Sequence, residues 1–495
     1  MTPASKRTYW QVFILCLLVY LISAKGNLEV EDTRYSVETA QAILSGHLAI
    51  PYSQDYTLRG PDGASYSKYG IGLALYYVPW VAVSNTVLRV VHRPSLELTT
   101  FLLSFANIPF ALLTLILFNK LLKLFAVAGV STWLLPLALG LGTLAWHYAV
   151  SDCSEEMQMC FLLMTVYGVV RGTSRAIVLA GVGFAALFLV KLLYVAFLPL
   201  FLCYLLARTG DLRGRIRNAA LFAFPFVLAG GAVGWLNAVR FGNPLESGYG
   251  NEAHRFFPSQ IWHTVPLLLG SLDKGLFIFS PILVIGLFGW RQFASRYRRE
   301  ALLCGGLLLC NLLLAGAWYE WAGGWSWGPR FLVPLVPLWL LPAAFWLERE
   351  PSRARYWIFV AWMLASILVQ IPGVVVKDNE IQIIKQKQLT EQERASAPSD
   401  YVTACLLLWH KLGGRNEIYR AADFHAPSDR ELDLTRYSTF NGLNVWTEQV
   451  ARRMKIPDLR WLPLLALTMV GYLAIQIGLR FRGAMKPAIL GVVET

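Results

Sequence analysis

The sequence predicts an all-α integral membrane protein, and its composition and apolar patterning carry that prediction. Of the 495 residues, 56% are hydrophobic and only 15% are charged, which is too little charge for the surface of a soluble chain of this length. Apolar runs near the length that crosses a bilayer core as a helix, about 20 residues, recur along most of the chain. The short alternating segments of an outer-membrane barrel do not recur. Helices are the predicted spanning form because they satisfy their own backbone hydrogen bonds.

The predicted topology rests on the charge of the loops. Apolar runs predict about 12 transmembrane helices, near 10–24, 97–119, 128–150, 156–170, 176–190, 192–206, 218–238, 272–290, 301–320, 330–347, 356–374 and 461–480. The inner loops that follow from this order are all basic, as the positive-inside rule requires. They include Lys120/Lys123, Arg171/Arg175, Arg291/Arg296 and Arg480/Arg482. The formal net charge of +13 is explained by these loops, so nucleic acid is not a predicted partner.

The same charge pattern divides the chain into regions. Residues 1–374 form a predicted transmembrane module with a cytoplasmic N-terminus and a large first extracytoplasmic loop at 25–96. The apolar stretch 70–91 is predicted to lie at the outer membrane interface, because a crossing there would place Lys120 and Lys123 outside. Residues 375–460 are predicted to be an extracytoplasmic segment, and 461–495 the last transmembrane helix with a cytoplasmic tail.

Two adjacent acids, Glu31 and Asp32, stand just after the first apolar run and are followed by Arg34 and Tyr35. A carboxylate at the membrane boundary suits a general base. The alternative is a pair of solvated charges near a helix start. A third acidic position, Asp152, lies between two apolar runs in the sequence Ser-Asp-Cys-Ser-Glu-Glu, where a helix N-cap is an equally good interpretation.

Two lysines and a tryptophan-rich loop are candidates for binding an anionic lipid headgroup. Lys68 lies in Tyr66-Ser67-Lys68-Tyr69-Gly70, where a lysine suits a phosphate and glycine allows close backbone approach. Lys191 interrupts an apolar stretch, which makes it a functional candidate or, if 176–206 is a pair of short helices, a residue near the outer surface. Snorkelling and an aromatic belt explain Lys68 and its tyrosines equally well.

The segment 318–330 carries tryptophans, including Trp325 and Trp327, and ends in Gly-Pro-Arg at Arg330. Tryptophan faces suit sugars and an arginine fork suits phosphate, although an interfacial belt also concentrates tryptophan. The loop 239–271 adds further candidates for substrate contact, among them His254 and Arg255.

Taken together, these motifs resemble those of the GT-C superfamily of lipid-dependent glycosyltransferases, near the lipid A aminoarabinose transferases and protein O-mannosyltransferases. The segment Glu31-Asp32-Thr33-Arg34-Tyr35 is similar to a D-E-x-R-Y-like motif, with the acids in swapped order. Lys68-Tyr69-Gly70 stands where the relatives carry Lys-Pro-Pro, Asp152 where they carry a second acid, and Lys191 where they carry a lysine. Gly328-Pro329-Arg330 resembles an R-Y-x-x-P element. The resemblance covers roughly residues 1–347.

The resemblance implies a GT-C fold and an inverting transfer of a hexose or pentose from a polyprenyl-phosphate donor to a hydroxyl of a lipid, polysaccharide or protein. It implies Asp32 as the base, with Glu31 as its rival. Lys68, Lys191 and Arg330 are the implied phosphate ligands, and Asp152 and Glu155 would orient the acceptor or a cation. Arg34, Tyr35, Tyr66, Tyr69, Trp325, Trp327, His254 and Arg255 would line the substrate. No cofactor is specified, and a divalent cation (Mg²⁺ or Mn²⁺) is left open.

Two other classes of protein compete with this interpretation. A transporter or lipid flippase of envelope precursors would fit the number of spans, but it predicts polar residues at mid-bilayer on broken helices. A non-catalytic membrane scaffold does not need an acid pair beside the first span. Membrane lipids surround the chain in every case, and the bacterial inner membrane is the expected location.

Overall fold

The computed structural model is almost entirely helical and describes residues 3–91, 96–208, 211–348, 352–387, 399–412, 442–453 and 462–485. Strands β1 (Thr57–Arg59) and β2 (Ser65–Ser67) pair antiparallel, with Leu58 opposite Tyr66. They form a small hairpin between the helix Glu31–Leu44 and the long apolar helix Ile71–Val91. The prediction of an all-α membrane protein is confirmed.

The helices follow the predicted apolar runs, with several breaks. They are α1 (Pro3–Ser23), α2 (Glu31–Leu44), α3 (Ile71–Val91), α4 (Leu96–Leu103), α5 (Ile108–Leu124), α6 (Ser131–Leu141), α7 (Ala145–Val150), α8 (Glu155–Arg171), α9 (Ser174–Val190), α10 (Leu198–Arg208), α11 (Leu212–Phe241), α12 (Ile261–Gly270), α13 (Leu276–Phe279), α14 (Leu283–Arg296), α15 (Arg298–Ala317), α16 (Val336–Leu340), α17 (Ala343–Glu348), α18 (Arg353–Val375), α19 (Asp378–Lys387), α20 (Asp400–Leu412), α21 (Trp446–Arg453) and α22 (Leu462–Met485). Short 3₁₀ turns cover Leu192–Phe197, Gly250–His254, Pro258–Gln260 and Arg330–Leu335.

Within the described residues, seven helical stretches are long and apolar enough to cross a membrane. They are Ile71–Val90, Leu98–Leu124, Leu212–Phe241, Arg298–Ala317, Arg330–Glu348, Arg353–Val375 and Leu462–Met485. Shorter apolar helices, such as Ser174–Val190, account for part of the difference from the predicted number, which stays a prediction. The interfacial placement of 70–91 also stays a prediction, since α3 has the length and composition of a span.

The break at Lys191 positions the first loop against the helical bundle. Helix α9 ends at Val190, and Lys191 is extended (φ −147°) before the next 3₁₀ turn, so 176–206 forms two helical segments as predicted. Gly70 lies against this break: a Cβ at Gly70 would overlap the carbonyl oxygen of Val190. Glycine at this position therefore allows the segment that follows Lys68 and Tyr69 to lie directly against the end of α9.

The C-terminal segments pack onto the same apolar core as the spans. Ile381 of α19 and both Ala404 and Leu407 of α20 are buried in that core. The segment 442–446 hydrogen bonds to the end of α1, with the backbone N–H of Trp446 donating to the carbonyl of Ala24 (2.7 Å). The predicted segment 375–460 is thus seen in part, and 388–398, 413–441 and 454–461 lie outside the described residues.

Candidate active site

The acid pair at the start of α2 divides between two environments. Asp32 accepts a hydrogen bond from Arg330, with 2.6 Å between Nη2 and Oδ2. Glu31 instead lies 3.8 Å from Arg34, a side chain that is 61% exposed. Adjacent residues of a helix point about 100° apart, so only one of the two faces the bundle. The acid that faces it is Asp32.

Arg330 bridges two carboxylates from different parts of the chain. While Nη2 contacts Asp32, Nε donates to Glu155 Oε1 (2.7 Å) at the start of α8. The turn before Arg330 contains Gly328 with φ +64°, a left-handed conformation that favours glycine. A guanidinium presents its donors in a rigid fork, which suits it to hold two oxyanions, or one carboxylate and one phosphate.

The charge state of Asp32 is set by its neighbours. Burial by itself would raise the pKa of Asp32, but the charge of Arg330, hydrogen bonds from Tyr69 and Arg330, and the charge of Lys191 outweigh it, so the pKa is lowered. The carboxylate is therefore ionised at neutral pH and able to accept a proton. Burial of the Tyr69 hydroxyl and the nearby charge of Asp32 raise the pKa of that hydroxyl, so it stays protonated and acts as a hydrogen-bond donor.

Lys191 completes this group of charges. Its Nζ lies 4.3 Å from the centroid of the Phe331 ring, directly after Arg330 in the chain. Glu155, Arg330 and Asp32 are the charged groups that act most strongly on it. Side chains from four separate segments, Asp32, Glu155, Lys191 and Arg330, thus meet at one place. We call these four residues and Tyr69 the Asp32 cluster.

Lys68 lies next to the Asp32 cluster but is occupied by another partner. Its Nζ is 2.9 Å from Glu252 Oε2 and stands over the rings of Tyr56 (5.6 Å) and Tyr249 (5.5 Å). Tyr69, at 6.0 Å, is a third ring beside the ammonium group and also bonds Asp32. The ammonium group is therefore held by one carboxylate and by cation–π contacts with the surrounding rings.

Asp152 has a different role from the N-cap that its position suggests. Ser154 is the N-cap residue of α8, and its side chain makes no cap hydrogen bond. Asp152 Oδ2 accepts from the backbone N–H groups of Glu29 (3.1 Å) and Val30 (3.0 Å), just before α2. Burial and the nearby Glu29 raise the pKa of Asp152 to about 7. Its carboxylate holds the main chain that leads to Asp32.

The other predicted site residues are divided between the neighbourhood of Lys68 and positions away from it. Tyr35 stacks on Tyr56, with ring centroids 4.9 Å apart, and so supports the aromatic rings around Lys68. Tyr66 donates to Asp62 in the hairpin loop (2.6 Å), and within the described part of the chain it makes no hydrogen bond to the Asp32 cluster. Trp327 is 1% exposed and packs edge-on against Phe279, within the core rather than on an open surface.

Three further candidates, Arg34, His254 and Arg255, have exposed side chains. Arg255 stacks over Tyr319 (5.2 Å) and Arg34 pairs with Glu38 (3.2 Å). Trp325 is 38% exposed. None of these four contacts the Asp32 cluster among the interactions of the described residues.

The sequence offered several residues of the loop 239–271 as possible substrate contacts, Tyr249, Glu252, His254 and Arg255 among them, without a reason to separate them. Tyr249 and Glu252 are the ones that reach Lys68. Sequence reasoning missed Glu29, whose spacing of four residues from Lys25 was the available signal for an ion pair. The loop was identifiable from its polar residues, but the contacting members depend on how it folds back over the hairpin.

The chemistry of the donor set does not favour a metal in the Asp32 cluster. Asp32 and Glu155 already share Arg330, and Lys191 adds a second positive charge beside them. Across the described residues, no group of three or more His, Cys, Asp or Glu side chains is arranged to hold a metal ion. The divalent cation stays a prediction of the sequence, and the proposed reaction does not use one.

The described helices form an all-α bundle of a polytopic membrane protein, with an acid at the start of α2 and the cations Lys191 and Arg330 at the ends of later helical segments. Over 95% of this chain and 77% of that one, it is similar to the crystal structure of ArnT from Cupriavidus metallidurans bound to undecaprenyl phosphate, with a TM-score of 0.53 and 15% identity. The same protein in its apo state gives a TM-score of 0.50 at 14% identity, over 96% of this chain and 78% of that one.

A second solved protein shares the fold. The oligosaccharyltransferase of Archaeoglobus fulgidus in its apo form matches with a TM-score of 0.51 and 10% identity, over 78% of this chain and 59% of that one. No protein-family model matches the chain, and neither does the sequence of any curated protein. At these identities the similarity shows the fold, and the predicted GT-C fold is confirmed.

Proposed function

We propose that this chain is an inverting glycosyltransferase that moves a sugar from a polyprenyl-phosphate donor to an acceptor hydroxyl at the extracytoplasmic face of the inner membrane. The observation that carries the proposal is the Asp32 cluster, in which one ionised carboxylate lies against two cations at helix ends. Support also comes from the fold, which is shared with a protein whose crystal structure holds undecaprenyl phosphate.

In the proposed reaction Asp32 accepts a proton, and Arg330 and Lys191 face the phosphate of the donor. The acceptor oxygen attacks that carbon while its proton passes to Asp32. The bond between the anomeric carbon and the phosphate oxygen breaks, and its electron pair leaves with the lipid phosphate. The transition state resembles an oxocarbenium ion, as in inverting glycoside hydrolysis. Arg330 and Lys191 are placed to stabilise the negative charge that develops on the leaving phosphate.

The pairing of Asp32 with Arg330 gives the donor a way to activate the base. In the structure, Arg330 lowers the pKa of Asp32, which makes the carboxylate a weak proton acceptor. A donor phosphate that takes over the Nη2 group of Arg330 would remove part of that stabilisation. The pKa of Asp32 would then rise toward the value at which a general base is most effective. Catalysis is thereby coupled to donor binding.

The alternative function, transport or flipping of an envelope lipid, keeps some support from the break in the helix at Lys191. A flippase moves its lipid intact, whereas a transferase leaves a new glycosidic bond. Mass analysis of envelope glycans from cells with and without the protein separates the two. We expect a mass decrease equal to one or more sugar residues without the protein; unchanged glycan masses with a redistributed lipid would favour the flippase.

The extracytoplasmic location of the reaction is tested by cysteine labelling in intact cells. A cysteine introduced at Asp62, in the exposed hairpin loop, is expected to react with a membrane-impermeant thiol reagent. One introduced at Lys120 is expected to react only after the membrane is permeabilised. The reverse result would place the Asp32 cluster on the cytoplasmic side.

Glu252→Gln is expected to increase the affinity for undecaprenyl phosphate, because it removes the protein's own anion from Lys68. Lys68→Ala should decrease that affinity about tenfold, the scale of one charge-assisted contact. The measurement is binding of undecaprenyl phosphate to the purified protein, followed by tryptophan fluorescence. Glu246→Gln is the matched control, since Glu246 caps the backbone N–H of Gly248 (2.9 Å) in the same loop. Weaker binding by Glu252→Gln would show that the carboxylate supports the phosphate site and does not compete for it.

A further inference from the structure

The side chain of Glu29, three residues before Asp32, is 5% exposed, and the residue is held by contacts from three other parts of the chain. Its Oε2 accepts from Lys25 Nζ (2.7 Å) and its Oε1 from Asn444 Nδ2 (2.8 Å). Its backbone N–H donates to Asp152 Oδ2 (3.1 Å), and its carbonyl oxygen accepts from Asn379 Nδ2 (3.4 Å). Both carboxylate oxygens and both backbone polar groups are therefore engaged.

The segment that supplies Asn444 is itself fixed to the start of the first loop. The N–H of Asn444 donates to the carbonyl of Val375 (2.8 Å), and the indole N–H of Trp446 donates to the carbonyl of Leu21 (2.7 Å). Gly26 has φ +74°, and a Cβ there would lie 2.7 Å from Trp446 Cβ. The chain from Leu21 to Glu29 thus runs directly against this C-terminal segment, which we call the 442–446 segment.

Helix α2 lacks a local device to fix its start. Its N-cap residue is Val30, which has no side-chain cap hydrogen bond. The start is fixed instead by Asp152 and by Glu29, and Glu29 keeps its orientation through Asn444. A displacement of about 1 Å in a catalytic group costs up to about 10²-fold in rate. Contacts that fix Glu29 therefore bear on the position of Asp32.

We propose that Glu29 is a positioning residue for Asp32 and that Asn444, from the 442–446 segment, locks Glu29 in place, so that this C-terminal segment is a functional part of the transferase site. The inference rests on the proposed role of Asp32 as the base. The contact is directional: the amide of Asn444 donates, and the carboxylate of Glu29 accepts. Reversing donor and acceptor provides a test that preserves the shape of both side chains.

Asn444→Asp places a second carboxylate against Glu29 at hydrogen-bonding distance, so the two acids repel. The double variant Glu29→Gln/Asn444→Asp restores one hydrogen bond, because the glutamine amide donates to the new carboxylate while its carbonyl oxygen still accepts from Lys25. We expect the single variant to lower glycan product in cells that lack their own copy at least about tenfold. The double variant should recover about half or more of the wild-type amount.

Purified protein supplies the readouts that separate positioning from folding. In Asn444→Asp the midpoint of thermal unfolding should fall, because two buried carboxylates face each other, and it should recover in the double variant. Undecaprenyl phosphate binding by the folded protein should stay at the wild-type value in both variants, because Arg330, Lys191 and Lys68 are untouched. The proposal is overturned by wild-type product from Asn444→Asp, by a double variant as poor as the single one, or by loss of undecaprenyl phosphate binding from the folded single variant. Wild-type product from Asp32→Asn would instead reject the role of Asp32 as the base, whatever Asn444 does.

Discussion

Asp32→Asn is expected to reduce sugar transfer by about 10²–10⁴-fold, the usual contribution of a general base. Asparagine keeps the size of the side chain and still accepts a hydrogen bond from Arg330, but it cannot take the proton of the acceptor hydroxyl. The measurement is the amount of sugar added to the envelope glycan in cells that carry only the variant. Binding of undecaprenyl phosphate should be retained, because the loss of a negative charge beside Arg330 favours an incoming anion.

Glu31→Gln is the matched control for Asp32→Asn. It makes the same chemical change one residue earlier, at a side chain that pairs with exposed Arg34 rather than with Arg330. An exposed pair of this kind contributes about 0–1 kcal/mol, so transfer should change by no more than about twofold. Large loss in Glu31→Gln with normal transfer in Asp32→Asn would reverse the assignment of the base.

Arg330→Gln is expected to have a large effect on both stability and transfer. Arg330 holds Asp32 at 2.6 Å and Glu155 at 2.7 Å, and Glu155 is 1% exposed. Removing the guanidinium leaves Glu155 as a buried charge without its partner, which typically costs about 3–5 kcal/mol of folding free energy. Donor binding should fall as well, because Arg330 is one of the two cations proposed to face the donor phosphate. Thermal unfolding and undecaprenyl phosphate binding measure the two effects separately.

Two further variants distinguish a specific role of Arg330 from a general loss of charge. Arg255→Gln removes an exposed arginine that stacks on Tyr319, and its effect on stability should stay within about 0.5 kcal/mol. Adding Glu155→Gln to Arg330→Gln should recover much of the lost stability, since the uncompensated carboxylate is neutralised, but it should not recover donor binding. Recovery of both would mean that Arg330 serves only to pair Glu155.

How far the candidate site follows from the sequence differs among its residues. The acids at 31–32, the lysine at the 176–206 break and the arginine after Gly328-Pro329 were identifiable, because each is a charge placed next to an apolar run or a turn. Which of the two acids faces the bundle was not identifiable, since both occupy the first turn of the same helix. The partner that decides it, Arg330, is 298 residues away along the chain.

For Asp152 and Trp327 as well, the sequence shows the local pattern but not the distant residues that each side chain contacts. The sequence places Asp152 before a helix, where an N-cap is the local expectation, but its carboxylate bonds the backbone of Glu29 and Val30 on another segment. Trp327 belongs to a tryptophan-rich stretch typical of an interface, yet it lies in the core, where Gly373 leaves space for its ring. Local patterns identify residue types that suit a site but not the distant surface against which each side chain packs.

The sequence by itself determined the class of protein: an all-helical membrane protein with basic loops between its apolar runs and an acid pair after the first of them. Composition and hydropathy determine these properties because each property depends only on one segment and its solvent, whether water or lipid. The tertiary structure alone decided the pairings of Asp32 with Arg330, Lys68 with Glu252 and Glu29 with Asn444. Such contacts join segments far apart in the chain, and their geometry exists only once the helices have packed.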